Sequence, residues 1–281
     1  MRQPVPHKRL GHPRVTVLEQ DAYVALGDLP AGSVNLVLTD PPYGITQATW
    51  DITLHFDRFW PLVWRALCPG GSAIMTGVMP FAAQLLLSAK MEFRHMWVWD
   101  RVNRLSNFLN AKVAPIRQTE LVLVFRRNGK GTYHPPIALS NSYSATSAKT
   151  SRSSLVGSHN RISDTQGSRG AARDLLRIPG NVPGARRNGS RHPTEKPVSL
   201  MAYLIETYSE PWDTVLDPFC GSGSTLLAAR SLCRHSIGME NDSHWVAVAR
   251  HRLETEFYDS AEILTPQDYR YKGRLTSGPQ G

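Results

Sequence analysis

The chain has 281 residues, 41% of them apolar, enough for one large α/β domain or two small ones with a sizeable buried core. Global disorder is excluded on that ground, and no run of about 18 apolar residues offers a membrane-spanning helix. Thirty-two Lys and Arg against 23 Asp and Glu give a net charge of +9, which points weakly to a polyanionic partner such as nucleic acid.

Residues 1–14, "MRQPVPHKRLGHPR", carry charge but no apolar stretch of the secretory kind, and read as a flexible tail. From Val15 to Phe125 strand-like and helix-like patterns alternate. "RVTVLEQDA" reads as a strand ending at an acid, and "SVNLVLTD" as a buried strand. "LHFDRFWPLVWRAL" spaces its apolar residues for a helix. "GGSAIMTG" is a strand opened by glycines, and "PFAAQLLLSAK" is helical with Pro80 in its first turn. "FRHMWVW" and "TELVLVF" read as strands, with Trp97 and Trp99 as core residues.

From Arg126 to Arg191 the character changes. Ser, Arg, Gly and Asn dominate without periodicity, and twelve basic residues face only Asp164 and Asp174. This segment holds more than the whole net charge, so it is predicted to be a basic insert that meets a polyanion. From His192 to Phe257 the α/β rhythm returns. "PVSLMAYLIETY" is predicted to be a helix with one apolar face, Val198, Met201, Leu204, Ile205 and Tyr208. "DTVLDPF" and "RHSIGME" read as strands, "GSTLLAARSLC" and "DSHWVAVARHRLE" as helices. Strand and helix in alternation predict a mostly parallel sheet with crossover helices. Residues 265–281 read as a second flexible tail.

Cys68, Cys220 and Cys233 lack metal-ligand spacing and the ten histidines are scattered, so no structural metal is expected and a reducing, cytoplasmic compartment fits.

Two stretches carry chemistry. In "LDPFCGSGST" a strand ends at Asp217 and a tight turn holds Gly221 and Gly223 before a helix. Glycines let a ligand approach the backbone at the carboxyl end of a strand, where open α/β sheets bind ligands. One strand later, Glu240 in "IGMEN" is placed to accept ribose hydroxyls. A P-loop is excluded because no Gly-Lys follows Gly223, and the third glycine of a dinucleotide fingerprint is missing. The alternative is an ordinary strand–turn–helix. In "TDPPYG", Asp40 closes another buried strand, and Pro41 and Pro42 stiffen the backbone after it. The Asp40 carboxylate and the Pro41 carbonyl can receive both hydrogens of an exocyclic amine, while Tyr43 can stack on the ring that bears it.

Together these stretches resemble the β class of S-adenosylmethionine-dependent DNA amino-methyltransferases, in which DPPY precedes FxGxG with a recognition region between. "QDA" (Gln20 to Ala22), "NAKVAPIRQTELVLVF" (Asn110 to Phe125) and "HPTEKP" (His192 to Pro197) are similar to further stretches of that family. The resemblance runs from about Val15 to Glu254. It implies a Rossmann-like class I methyltransferase fold, a mostly parallel twisted sheet with helices on both faces plus a basic target-recognition insert. Residues 15–125 would form the target-base part, 126–191 the insert and 192–257 the cofactor part. It implies S-adenosylmethionine as cofactor and DNA as partner, without a membrane, and is compatible with a homodimer and a cognate restriction nuclease.

Carried over residue by residue, Asp40, Pro41, Pro42 and Tyr43 would hold the flipped base. Asp217, Phe219, Gly221 and Gly223 would line the methionine moiety, Glu240 the ribose, and Asp21 and Ala22 the adenine of the cofactor. Thr194 and Lys196 would reach the methionine carboxylate. Arg126, Arg127, Lys130, Arg186 and Arg187 are the candidate phosphate contacts. Methylation of an amine needs no covalent intermediate, so Cys220 is not expected to act as a nucleophile. An acid at the first position of DPPY leans to adenine N6 as target. Cytosine N4 and a non-catalytic nucleic-acid binder are the alternatives.

Overall fold

The computed structural model describes residues 12–44, 53–102, 105–106, 111–134, 174–181 and 195–258. Thr194, Arg186, Arg187 and most of the basic segment lie outside the described residues. In chain order the elements are β1 (Val15–Glu19), α1 (Ala22–Asp28), β2 (Val34–Thr39), α2 (Phe56–Ala66), β3 (Leu67–Gly77), α3 (Phe81–Ser88) and β4 (Phe93–Asp100). They continue with β5 (Thr119–Phe125), β6 (Leu175–Arg177), α4 (Val198–Tyr208), β7 (Thr214–Asp217), α5 (Ser224–Ser231), β8 (His235–Glu240) and α6 (Ser243–Thr255).

The strands form one sheet in the order β1-β8-β7-β2-β3-β5-β4-β6. Only β5 runs against the others among these strands, pairing antiparallel with both β3 and β4. The remaining pairs are parallel, as the strand–helix alternation predicts. An antiparallel strand needs no crossover helix, and among the described residues none lies between β4 and β5.

Each face of the sheet packs a separate core, as strand alternation requires. Leu36, Leu38, Ile74, Val122 and Val124 point toward α4 and α5. Val34, Val37, Ala73, Met75, Leu123 and Phe125 point toward α1, α2 and α3. On α2 the buried residues Phe59, Trp60, Val63 and Ala66 follow helical spacing and form one face. The single apolar face predicted for α4 is too narrow. Leu200, Ala202 and Tyr203 are buried as well, because the helix packs against both the sheet and α5. Trp97 and Trp99 are core residues, and their indole N–H groups are satisfied by Tyr208 Oη and the Ile178 carbonyl, each at 2.8 Å or less.

One strand arises where the sequence offers no periodicity. Leu175–Arg177, within the basic segment, adds to the edge strand β4, and only Leu176 of the three is buried. Three residues are too few to show a period; the ladder to β4 supplies what sequence pattern does not.

Candidate active site

The chain turns in opposite directions from β2 and β7. From β2 it crosses to β3 on one side, and from β7 to β8 on the other, while β2 and β7 themselves are neighbours. Such a switch point leaves a crevice at the carboxyl ends of the strands. Four acids belong to that edge, each at or just past the end of one of four adjacent parallel strands: Asp21 after β1, Glu240 on β8, Asp217 on β7 and Asp40 after β2.

The glycine turn is built by backbone geometry. Gly221 and Gly223 have φ of +49° and +83°, the region that favours glycine, and the Gly223 N–H closes the turn on the Cys220 carbonyl at 2.8 Å. Glu240 accepts from the Gly221 N–H at 3.0 Å and the Asp242 N–H at 2.9 Å, one on each oxygen. A carboxylate has about four acceptor positions, so this one keeps capacity for hydroxyl donors. Asp217 accepts from the Phe219 N–H at 3.1 Å and from the Thr39 hydroxyl at 2.6 Å. Burial pushes its carboxyl up to about 6, against the hydrogen bonds from Thr225, Thr39 and Phe219. Phe219 stacks toward Phe59 at 6.0 Å between ring centres. Ser224, in the first turn of α5, has a buried hydroxyl oxygen with no hydrogen-bond partner. A cradle of left-handed glycines, an unsatisfied hydroxyl and two carboxylates suits a cationic, ribose-bearing cofactor. Asp21 caps α1, its Oδ1 accepting from the N–H groups of Tyr23 and Val24, and Ala22 is buried in the first turn.

The DPPY stretch is held by side chains instead. Asp40 Oδ1 accepts from the hydroxyls of Tyr43, at 2.5 Å, and Thr76. Asp40 Oδ2 accepts from Lys196 Nζ at 2.8 Å. Lys196 also lies 3.2 Å from Glu120, whose other oxygen accepts from Arg101 at 3.1 Å. Lys196, Glu120 and Arg101 are all largely buried, which makes this an alternating chain of four charges with no net sum. Burial alone would lower the Lys196 pKa, but Asp40, Tyr43 and Glu120 outweigh it and hold it above the usual range. The Tyr43 hydroxyl is pushed well up by burial and by Asp40, so it donates as a neutral phenol. Its ring lies 4.9 Å from Phe81. Pro41 is buried and Pro42 half-buried, so the stiff backbone is also packed.

The two halves are joined twice. Thr39 on β2 bonds Asp217 on β7. The dipeptide Glu195–Lys196 faces both ways. Lys196 meets Asp40, while Glu195 accepts from the Ser222 hydroxyl of the glycine turn at 3.1 Å and pairs with Arg252 at 3.4 Å. Arg252 in turn donates to the Ser222 carbonyl at 2.7 Å.

Sequence reasoning brought Asp40, Pro41, Pro42, Tyr43, Asp21, Ala22, Lys196, Asp217, Phe219, Gly221, Gly223 and Glu240 to one edge of the sheet, and that is where they lie. Lys196, expected at the methionine carboxylate of the cofactor, is instead bonded to Asp40 of the DPPY stretch and paired with Glu120. Sequence reasoning missed Thr76, Glu120, Arg101, Glu195 and Arg252. The signal for Glu120 was a lone acid in the apolar run "TELVLVF". Arg126, Arg127 and Lys130 are not brought to this edge. They follow β5, whose seven residues carry the chain about 20 Å away from it, to where a Cβ added at Gly70, near the start of β3, would meet the Lys130 carbonyl at 3.3 Å. The Arg126 guanidinium donates to Ser72 and to the Thr132 carbonyl, and burial lowers its pKa. Cys220 is buried in the turn and its thiol is pushed well up by burial and by Asp217, which fits the expectation that it is no nucleophile. Among the described residues no cluster of His, Cys, Asp and Glu forms a metal site, and no helix is long and apolar enough to cross a membrane.

Residues 34–251, spanning both halves of this site, match the profile of a family described as DNA methylase. The chain belongs to the DNA methylase family. Among its relatives is the DNA adenine methyltransferase YhdJ of Escherichia coli K12, 29% identical over 95% of this chain and 92% of that protein. The fold matches that of PvuII DNA methyltransferase (cytosine-N4-specific), with TM-score 0.61 and 20% identity over 90% of this chain and 92% of that one. It also matches TTHA0409 of Thermus thermophilus complexed with S-adenosyl-L-methionine, described as a putative DNA modification methylase. There the TM-score is 0.53, with 20% identity over 90% of this chain and 97% of the other. The resemblance read from DPPY and FxGxG therefore holds for family, fold and cofactor: this DNA methylase is an S-adenosylmethionine-dependent enzyme of the N6/N4 amino group.

Proposed function

We propose that this DNA methylase transfers a methyl group to the N6 amine of adenine, with the base flipped out of the duplex into the Asp40–Tyr43 pocket. The observation that carries this is the placement of Asp40 beside the glycine turn, with its neighbour Thr39 hydrogen-bonded to Asp217 at 2.6 Å. A base amine held at Asp40 and a cofactor held over Gly221 would then meet in one crevice. For adenine over cytosine, the support is the acid at position 40 and the 29% identity to a relative named as an adenine methyltransferase.

S-adenosylmethionine, when bound, supplies an electrophilic methyl group on a sulfonium. The chain's task is positioning and electrostatics. Asp40 and the Pro41 carbonyl receive the two amine hydrogens and let the nitrogen turn its lone pair out of the ring. The carboxylate stabilises the positive charge that grows on that nitrogen. Tyr43, fixed at its hydroxyl by Asp40 and Thr76, offers its ring to the extruded base. Asp217, Phe219, Gly221, Gly223 and Glu240 hold the cofactor, with Asp21, Ala22 and Thr194 at its two ends. Arg186 and Arg187 contact phosphates. Neutralising that pair should lower the slope of log affinity against log salt by about two; an unchanged slope removes them from the DNA contact.

The test of the reading is methylome sequencing of DNA from a host that expresses this chain, resolving the two modified bases. N6-methyladenine in a defined sequence context is expected. Methylation confined to cytosine N4 would overturn the adenine assignment, and no transfer to DNA at all would overturn the activity.

A further inference from the structure

Lys196 is 8% exposed, yet its donors are under-used. An ammonium carries three N–H groups. One is bonded to Asp40 Oδ2. The contact with Glu120 Oε2 at 3.2 Å is an ion pair without hydrogen-bond alignment, for that buried oxygen has no hydrogen-bond partner. The ammonium also lies 5.8 Å from the centre of the Tyr43 ring, on its face. A buried cation with donors to spare, between a carboxylate oxygen that has no aligned donor and the pocket of a flat aromatic, is built to meet a ligand atom.

The chemistry of that atom follows from the pairing. Asp40 Oδ2 is an acceptor and Lys196 Nζ a donor, 2.8 Å apart. Adenine and cytosine present the complementary edge, an amine N–H donor next to a ring-nitrogen acceptor. Guanine and thymine present the reverse, a carbonyl next to a ring N–H. We propose that Lys196 is a target-base contact that donates to the ring nitrogen beside the amine held by Asp40, with Glu120 as the residue that positions it. Asp40 alone would accept any N–H. The pair admits amino-bearing bases and opposes keto-bearing ones with two mismatched contacts. Glu120, anchored by Arg101 from the loop after β4, keeps the ammonium from collapsing fully onto Asp40 and silencing it as an acceptor. This rests on the reading of Asp40 as the amine acceptor and deepens it.

The experiment measures affinity of the full chain for a mapped duplex with adenine, 1-deazaadenine or 3-deazaadenine at the target position, each opposite an abasic site so that base pairing is equal. If the target is cytosine, 3-deazacytosine replaces the first analogue. The expected result is a loss of about tenfold to a hundredfold on removing the ring nitrogen beside the amine, with little loss for the 3-deaza control. Lys196→Met should bind adenine and 1-deazaadenine alike. Equal wild-type affinity for adenine and 1-deazaadenine overturns the proposal, as does a penalty that persists in Lys196→Met. The two wild-type analogues decide the matter even where the variant does not fold. Because binding is read without methyl transfer, a chain that shows the penalty but methylates nothing refutes the activity and leaves the base contact standing.

Discussion

The two halves of this crevice, the proposed cofactor half and the proposed base half, are held in different ways. Around Asp217 and Glu240 the partners are mostly backbone: N–H groups of Phe219 and Gly221 from the glycine turn, and of Asp242 at the start of α6. Around Asp40 they are side chains alone, from Tyr43, Thr76 and Lys196, with Glu120 and Arg101 behind. A backbone cradle is fixed by local chain geometry and changes little when one side chain is lost. A charge network draws on four distant parts of the chain, and each member leaves another uncompensated when removed. The cofactor half is therefore expected to fail through backbone shape, and the base half through single charges.

The largest test of that contrast is Asp40→Ala. It should lower transfer by about 10²-fold or more, on the order of losing one preorganised electrostatic group. Cofactor affinity should stay near wild type, because none of the groups that bond Asp217 or Glu240 is touched. Calorimetry with S-adenosylmethionine checks it, and a parallel loss of cofactor affinity would show the two halves to be one unit.

Asp217 comes next. Its carboxyl is raised from 3.8 to about 6, chiefly by burial. The folded state thus binds the proton more tightly than the unfolded state, so stability rises as pH falls from about 6 toward 4. Above pH 6 the buried charge costs up to about 3 kcal/mol. Asp217→Asn should stabilise the chain at pH 8 by up to that amount, with the gain vanishing near pH 4. Urea denaturation at both pH values measures it; a variant less stable at pH 8 would mean the hydrogen bonds from Thr39 and Phe219 outweigh the desolvation. In the wild type, a positively charged cofactor should bind more weakly below pH 6, where Asp217 must lose a proton first.

This contrast also explains what was legible in the sequence. A backbone cradle writes its signature locally: Gly221 and Gly223 at fixed offsets after a strand, and Glu240 one strand on. Asp40 and Tyr43 were legible because the two prolines between them constrain the chain. The network behind Asp40 was not. Thr76, Glu120 and Arg101 sit in or after strands that read as ordinary core segments, and only the antiparallel entry of β5 brings Glu120 to the carboxyl edge of the sheet. Helix α6 hid another such residue. Arg252 is 5% exposed on a segment that reads only as a helix, and it buries its charge against Glu195, Glu256 and the Ser222 carbonyl. Proximity of residues far apart in sequence is a property of topology, and β5 reversed a direction that the strand–helix rhythm alone would not.

Gly238 gives the smallest and sharpest test, because it asks whether backbone shape alone sets the cofactor half. It lies on β8 beneath the turn, where an added Cβ would meet Leu226 Cδ1 at 2.7 Å and Cys220 Sγ at 2.8 Å. Gly238→Ala adds one methyl, changes no charge and touches nothing in the Asp40 network. Crowding of this kind costs about 1–3 kcal/mol, and Leu226 and Cys220, the latter in the turn beside Gly221, must shift to relieve it. Thermal denaturation should show the loss, and calorimetry a weaker hold on S-adenosylmethionine. Since Cys220 supplies one of the two clashing atoms, Cys220→Ala in the same chain should restore part of both, a coupling that independent sites lack. Full cofactor affinity in Gly238→Ala would mean that the turn's own bonds to Glu240 hold its shape without the strand below.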